Sequence, residues 1–186
     1  MKENKKQVFI LKTYYSKDDA YQTLSTINSW INNFDSKSSF ALALLGVLLG
    51  FTFNSNFPHV FVRIGDITKL SDLNCCDVIS AILIVGLYLT SLITLISLML
   101  VIIARTKNPN KSSSVFFFGT ISSVNLKDYK KELRTMSDNE ILNDLAEQIH
   151  TNSKICTKKS KYYNFGMKAL LVTVLLWFIC MVFRLI

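Results

Sequence analysis

VISAILIVGLYLTSLITLISLMLVIIA, residues 78 to 104, carries no charged side chain and no proline over 27 consecutive positions. An α-helix rises about 1.5 Å per residue, so roughly 20 apolar residues cross the ~30 Å hydrocarbon layer of a bilayer. This stretch is long enough to span with some tilt. A second run, ALLVTVLLWFICMVF at 169–183, is shorter, but Lys168 and Arg184 at its ends can snorkel to the two interfaces. A third, SSFALALLGVLLGFTF at 38–53, rises only about 24 Å. Adding residues 34–37 restores the length and leaves Asp35 and Lys37 at the membrane surface. The reading is therefore an all-α membrane protein with three transmembrane helices and a small helical cytoplasmic layer.

Positive charge orients the chain, because lysine and arginine stay preferentially on the cytoplasmic side. Six precede the first span, two lie between the first and second, twelve fall in residues 105–168 and one follows the third. This predicts a multi-pass protein of the cell inner membrane, with a cytoplasmic N-terminus and an external C-terminus. The segments expected are 1–37 (cytoplasmic amphipathic helix), 38–54 (first span), 55–77 (external loop), 78–104 (second span), 105–167 (cytoplasmic helices) and 168–186 (third span). The N-terminus lacks the apolar core and small-residue cleavage site of a signal peptide. The net charge of +8 is concentrated in the cytoplasmic layer, where it suits anionic headgroups or an anionic ligand.

Two capping boxes punctuate the polar segments. Ser16 and Asp19 open a helix with Tyr21, Leu24, Ile27, Trp30, Ile31 and Phe34 on one face, expected to run on into the first span. Ser137 and Glu140 open another, with no proline from there to the end, so one helix is expected to rise into the third span, with a weak point at Gly166. Between them, Leu126, Tyr129, Leu133 and Met136 mark a short helix with Lys127, Lys130, Lys131 and Arg134 on its other faces.

Catalytic signatures are missing: no glycine-rich phosphate loop, no metal-ligand cluster and only two histidines, so neither an enzyme nor a cofactor or metal is expected. No Arg–His pair has the short spacing of a HEPN-type ribonuclease, and a cyclic-nucleotide-binding β-barrel has no room. Cys75 and Cys76 are adjacent and bridge each other poorly, leaving a link between subunits or unpaired thiols. Gly46 and Gly50 form a G-x-x-x-G, and Gly86, Thr90, Thr94 and Ser97 share one face of the second span. Such a face serves helix packing or, in a homo-oligomer, lines an aqueous path; hydroxyls that bond their own helix favour packing. Lys37, Arg105, Arg134, Lys154 and Lys158 are the candidate contacts to a phosphate-bearing ligand, with tyrosines beside them to stack a base. The positive-inside bias alone also accounts for these cations.

Three stretches carry a resemblance to a known family. FDSKSSFALALLGVLLG (34–50), FFGTISSVNLKDYKKEL (117–133) and the helix with Leu145 to Ile149 followed by Asn152-Ser153-Lys154 are together similar to the Pycsar transmembrane effectors. The architecture is shared with SLATT-type small membrane effectors. The resemblance implies a bacterial antiphage protein paired with a pyrimidine cyclase from an adjacent gene. It further implies activation by cyclic CMP or cyclic UMP, impairment of the inner membrane and abortive infection, with no direct nucleic-acid partner. The alternatives are an effector of another nucleotide-signalling or CRISPR-linked system, or a structural or adaptor membrane protein.

VFFFGTI, 115–121, is too short to span and sits between basic segments. It is expected to be an apolar plug in which Phe117 and Phe118 pack under the cytoplasmic helices or into the headgroup boundary, while Gly119 permits a turn. With Tyr129, Asp35 and Lys37 it is the candidate coupling element between layer and spans. For Asp35 and Lys37, plain interfacial anchoring is the alternative.

Overall fold

Ser16 and Ser137 open the two longest helices of the computed structural model, which describes residues 15–54, 58–65, 74–103 and 114–186. The helices are α1 Lys17–Asn54, α2 His59–Gly65, α3 Cys75–Ile102, α4 Phe118–Ser123, α5 Leu126–Thr135 and α6 Asp138–Val182, and the described residues contain no strand. Both capping boxes form as the sequence predicts. Asp19 accepts from the Ser16 amide (2.8 Å) while Ser16 Oγ accepts from the Asp19 amide (3.2 Å). Glu140 and Ser137 repeat the exchange at 2.7 and 3.4 Å. Each box satisfies donors that a helix start otherwise leaves unpaired. The 38 residues of α1 and the 45 of α6 are continuous helix, so the expected runs into the first and third spans are observed.

Three helices, α1, α3 and α6, are long and apolar enough to cross a membrane. Their buried positions follow an alternation of three and four residues. In α1 these are Ser38, Ala41, Leu45, Leu48 and Thr52; in α3 they are Asp77, Ile84, Leu87, Ser91, Thr94, Leu98 and Val101, with Ser97 buried beside Leu98. In α6, Lys159, Gly166, Leu170, Thr173 and Cys180 are buried, with half-buried Tyr163 and Trp177 filling the intermediate positions. A 3–4 repeat keeps one seam of a helix against its neighbours as in left-handed bundles. The remaining faces, such as Phe40, Val47, Ile82, Leu89, Leu171 and Phe178, are exposed and apolar, as contact with lipid tails requires. In lipid no hydrophobic drive separates seam from surface, and close packing selects small residues instead. Ser38, Ala41, Ser91, Thr94, Gly166 and Thr173 accordingly lie inside, interleaved with buried Leu45, Ile84, Leu87, Leu98 and Leu170.

The chain forms two compact units: Met1–Asn33 with Ala104–Lys158, and Phe34–Ile103 with Lys159–Ile186. The second contains two apolar clusters. Ala41, Leu45, Leu98 and Leu170 centre one, and Ile84, Leu87 and Cys180, with Phe61, Trp177 and Leu185 around them, form the other. Gly166, expected as a weak point, instead sits buried in unbroken helix. A Cβ there would lie 2.8 Å from Leu98 Cδ2 and 3.2 Å from Ser97 Cβ, so the glycine permits close approach of α6 to α3. The first unit is held by Ala20, Ile27, Val115 and Leu145, all buried.

Candidate functional site

In the first unit the turn leading into VFFFGTI is fastened by polar side chains of α6. The Val115 amide donates to Asp144 Oδ2 (2.9 Å) and Gln148 Nε2 donates to Ser114 Oγ (2.9 Å). Asp144 and Gln148 are one helical turn apart, so one face of α6 presents an acceptor and a donor to two successive residues. Thr120 Oγ1 donates to the Ser114 carbonyl (2.7 Å), and the Tyr129 hydroxyl donates to the Val115 carbonyl (3.2 Å). Phe116 meets Tyr21 of α1 edge to face, ring centroids 5.8 Å apart. α1 and α6 are joined within this unit by Asn152 donating to Asn28 (2.8 Å) and by Lys17 with Asp138 (2.7 Å). The hydrogen bond to Asp138 holds the Lys17 ammonium above its usual range. The Ser16 and Ser137 amides likewise hold the Asp19 and Glu140 carboxyls below theirs.

An open groove of about 640 Å³ runs along the same unit, lined by Tyr15, Asp19, Gln22, Thr23, Thr26, Ile27, Trp30 and Ser153. It combines two aromatic rings with amide and hydroxyl groups and one carboxylate, Asp19, already engaged by Ser16.

In the second unit Asp35 pairs with Lys159 at 2.5 Å. The lysine side chain is 7% exposed and the carboxylate 33%. One turn on, Ser38 is fully buried and its Oγ has no hydrogen-bond partner among the described residues. Phe34 and Tyr163 pack beside this level with ring centroids 5.4 Å apart. Farther along, Arg63 of α2 pairs with buried Asp77 of α3 at 3.3 Å.

The residues singled out from sequence fall in several places. Lys37 is exposed and turned away from Asp35, because residues two apart in a helix do not share a side. Arg105 lies outside the described residues. Arg134 belongs to α5, while Lys154 and Lys158 occupy consecutive turns of α6, exposed. Phe117 is half-buried and packs against exposed Phe118, ring centroids 4.8 Å apart. Gly119 does not make the expected turn: it lies in α4, and no described glycine has a positive φ. The space its missing Cβ leaves is occupied by the Phe117 ring, 2.5 Å from where that atom would stand. Gly46 and Gly50 are exposed, with nothing within 4 Å of an added Cβ. Thr94 is buried, its hydroxyl donating to the Thr90 carbonyl (2.8 Å) and lying 3.4 Å from Thr173 Oγ1. Thr90 and Ser97 also donate to their own helix, and Gly86 faces Leu176 at 3.7 Å. Cys75 and Cys76 are exposed free thiols.

Sequence reading missed Lys159 as the partner of Asp35, the Asp144–Gln148 clamp and the Arg63–Asp77 pair. The first joins positions 124 residues apart, which no local spacing reveals. The clamp had one signal, since Gln148 falls within the Leu145 to Ile149 stretch that carries the family resemblance.

Three helices long and apolar enough to cross a membrane, in an all-helical described chain, define a small three-span membrane protein. A family model described as the Pycsar effector protein domain matches residues 19–186. The Pycsar effector protein GmPycTM of Gulbenkiania mobilis is 30% identical over 181 residues, covering 88% of this chain and 90% of that protein. The chain belongs to the Pycsar transmembrane effector family, and is thus an antiphage effector of the inner membrane. No solved structure matches it.

Proposed function

We propose that the protein senses a cyclic pyrimidine nucleotide, cyclic CMP or cyclic UMP, made by a partner cyclase, and answers by permeabilising the inner membrane so that the infected cell dies. The observation that carries this reading is that α1 and α6 are each a single unbroken helix with residues in both compact units. A ligand that shifts these helices at their polar ends acts on the apolar ends through the same hydrogen-bonded rods. Such a shift requires only that the ligand binds the permeable arrangement more tightly than the closed one. The Asp35–Lys159 pair and the Phe117 plug are the elements through which coupling is strongest. The charge asymmetry supports a cytoplasmic N-terminus and an external C-terminus.

The groove along Tyr15, Gln22, Thr26 and Trp30 is the ligand site in this reading. Its amide and hydroxyls suit the polar edge of a pyrimidine and its aromatics a base face. Lys154, next in sequence to Ser153, and Lys158, one turn on, supply cations for the phosphate. The open helix face at Gly46 and Gly50 is where copies meet in a homo-oligomer.

Binding by full-length protein in nanodiscs tests the site. Cyclic CMP or cyclic UMP is expected to bind, and the double variant K154E/K158E to lose at least about tenfold in affinity through charge repulsion. Binding unchanged by that variant and by Trp30→Ala removes the groove from the mechanism. Absence of any binding removes the nucleotide.

A further inference from the structure

The helix α5 carries a surface that nucleotide sensing does not use. Successive residues of an α-helix turn by about 100°. Lys130, Arg134, Lys127 and Lys131 therefore occupy one continuous sector of about 100°. Leu126 and Leu133 border it on one side, Asp128 and Glu132 on the other. Tyr129, on the face next to the leucines, turns inward to the Val115 carbonyl, which fixes which sides of the helix are left outside. All four cations are exposed, and among the described residues none of them is in an ion pair. Leu126 is 66% exposed and Leu133 46%, and Phe118 and Val124 of the same segment are exposed as well.

The four cations line one open groove with Asp128 and Thr135, and a free anionic ligand there has no use for the exposed aliphatic side chains along its edge. A row of cations with an apolar edge beside it matches the headgroup boundary of a bilayer, where the edge enters the acyl region and the ammonium groups meet phosphates. The N-terminus of α5 is also fixed against swivelling, since Asn125 Oδ1 accepts from the Lys127 and Asp128 amides at 3.1 and 3.0 Å.

We infer that the Lys127–Lys130–Lys131–Arg134 face of α5, with Leu126 and Leu133, is a docking surface for the anionic lipid headgroups of the membrane in which the protein is anchored. Lipid charge is then a second input to the effector, acting on the helix whose Tyr129 braces the VFFFGTI turn. Arg134, a candidate nucleotide contact on sequence grounds, serves lipid in this assignment. The inference is independent of which nucleotide, if any, the protein senses.

Full-length protein is reconstituted in nanodiscs of neutral phosphatidylcholine, and in others containing phosphatidylglycerol, and backbone hydrogen exchange is followed. Amides of residues 126–135 are expected to exchange on the order of tenfold more slowly in the anionic discs, an effect that high salt weakens. The variant K127Q/K130Q/K131Q/R134Q is expected to lose the difference while amides of 141–152 stay protected. Should that variant unravel α5, L126S/L133S with the cations intact takes its place and is expected to lose most of the difference. Equal exchange in the two lipids, or a difference insensitive to salt, overturns the assignment. So does protection produced in neutral discs by inorganic phosphate or cyclic UMP without a response to lipid charge.

Discussion

Asp35 and Lys159 show what a single residue contributes at the level where the second unit begins. A lysine that is 7% exposed is tolerated because a carboxylate sits on it. Removing one partner leaves the other stranded. Asp35→Asn is expected to destabilise the protein by about 1–3 kcal/mol, below the ~3–5 of a fully buried pair because the carboxylate keeps some water. The double variant with Lys159→Met is expected to recover part of that, as a double-mutant cycle on unfolding in micelles will read. Additive losses in that cycle contradict a direct pair. Gly166 makes the opposite demand: alanine there gains about 1 kcal/mol of helix propensity but must displace fully buried Leu98, so a net loss of about 1–2 kcal/mol is expected in the same assay. Sequence reading found Asp35 but set it beside Lys37. Helical geometry separates those two residues, and the true partner lies on another helix, where only three-dimensional structure brings it near.

Among the elements, what is local in sequence was legible. A serine and a carboxylate three residues on specify a helix start by two reciprocal hydrogen bonds, and both starts fall where that pattern puts them. Hydropathy located the spans for an equally direct reason, the length of hydrocarbon to be crossed. The packing seams were not legible that way, because a helix apolar on every side hides which side is inside. They are marked in part by small and hydroxylated residues among the buried aliphatics, of which the second-span stripe caught Thr94 and Ser97 but not Ser91. The caps also set a pH window. The carboxyls of Asp19 and Glu140 are held low, so their stabilisation is present above about pH 4 and is lost as pH falls through that range to their depressed values. Lys17 is held high, so its contribution is present below about pH 10 and is lost as pH rises beyond its raised value. Chemical shifts of residues 17–20 and 138–141 in micelles are expected to stay constant between those limits and to move outside them. At Gly46 and Gly50 nothing within the chain opposes a side chain. Leucine at both is expected to leave chain stability unchanged and to lower the oligomeric state measured by cross-linking; an unchanged state removes these glycines from the contact between copies.

Taken whole, the molecule joins a polar helical unit to an apolar one through two continuous helices, and braces the VFFFGTI turn against α6 by Asp144 and Gln148. Phe117→Ala is expected to give normal insertion and expression but lost toxicity when the nucleotide is present, because the ring that fills the space beside Gly119 is gone. Toxicity retained at normal expression refutes that role. Dye release from liposomes containing only the purified full-length protein examines nucleotide-triggered permeabilisation itself. Cyclic CMP or cyclic UMP is expected to release the dye, with purine cyclic nucleotides inert. Intact liposomes with both pyrimidine nucleotides, or leakage indifferent to either, contradict a nucleotide-gated membrane effector.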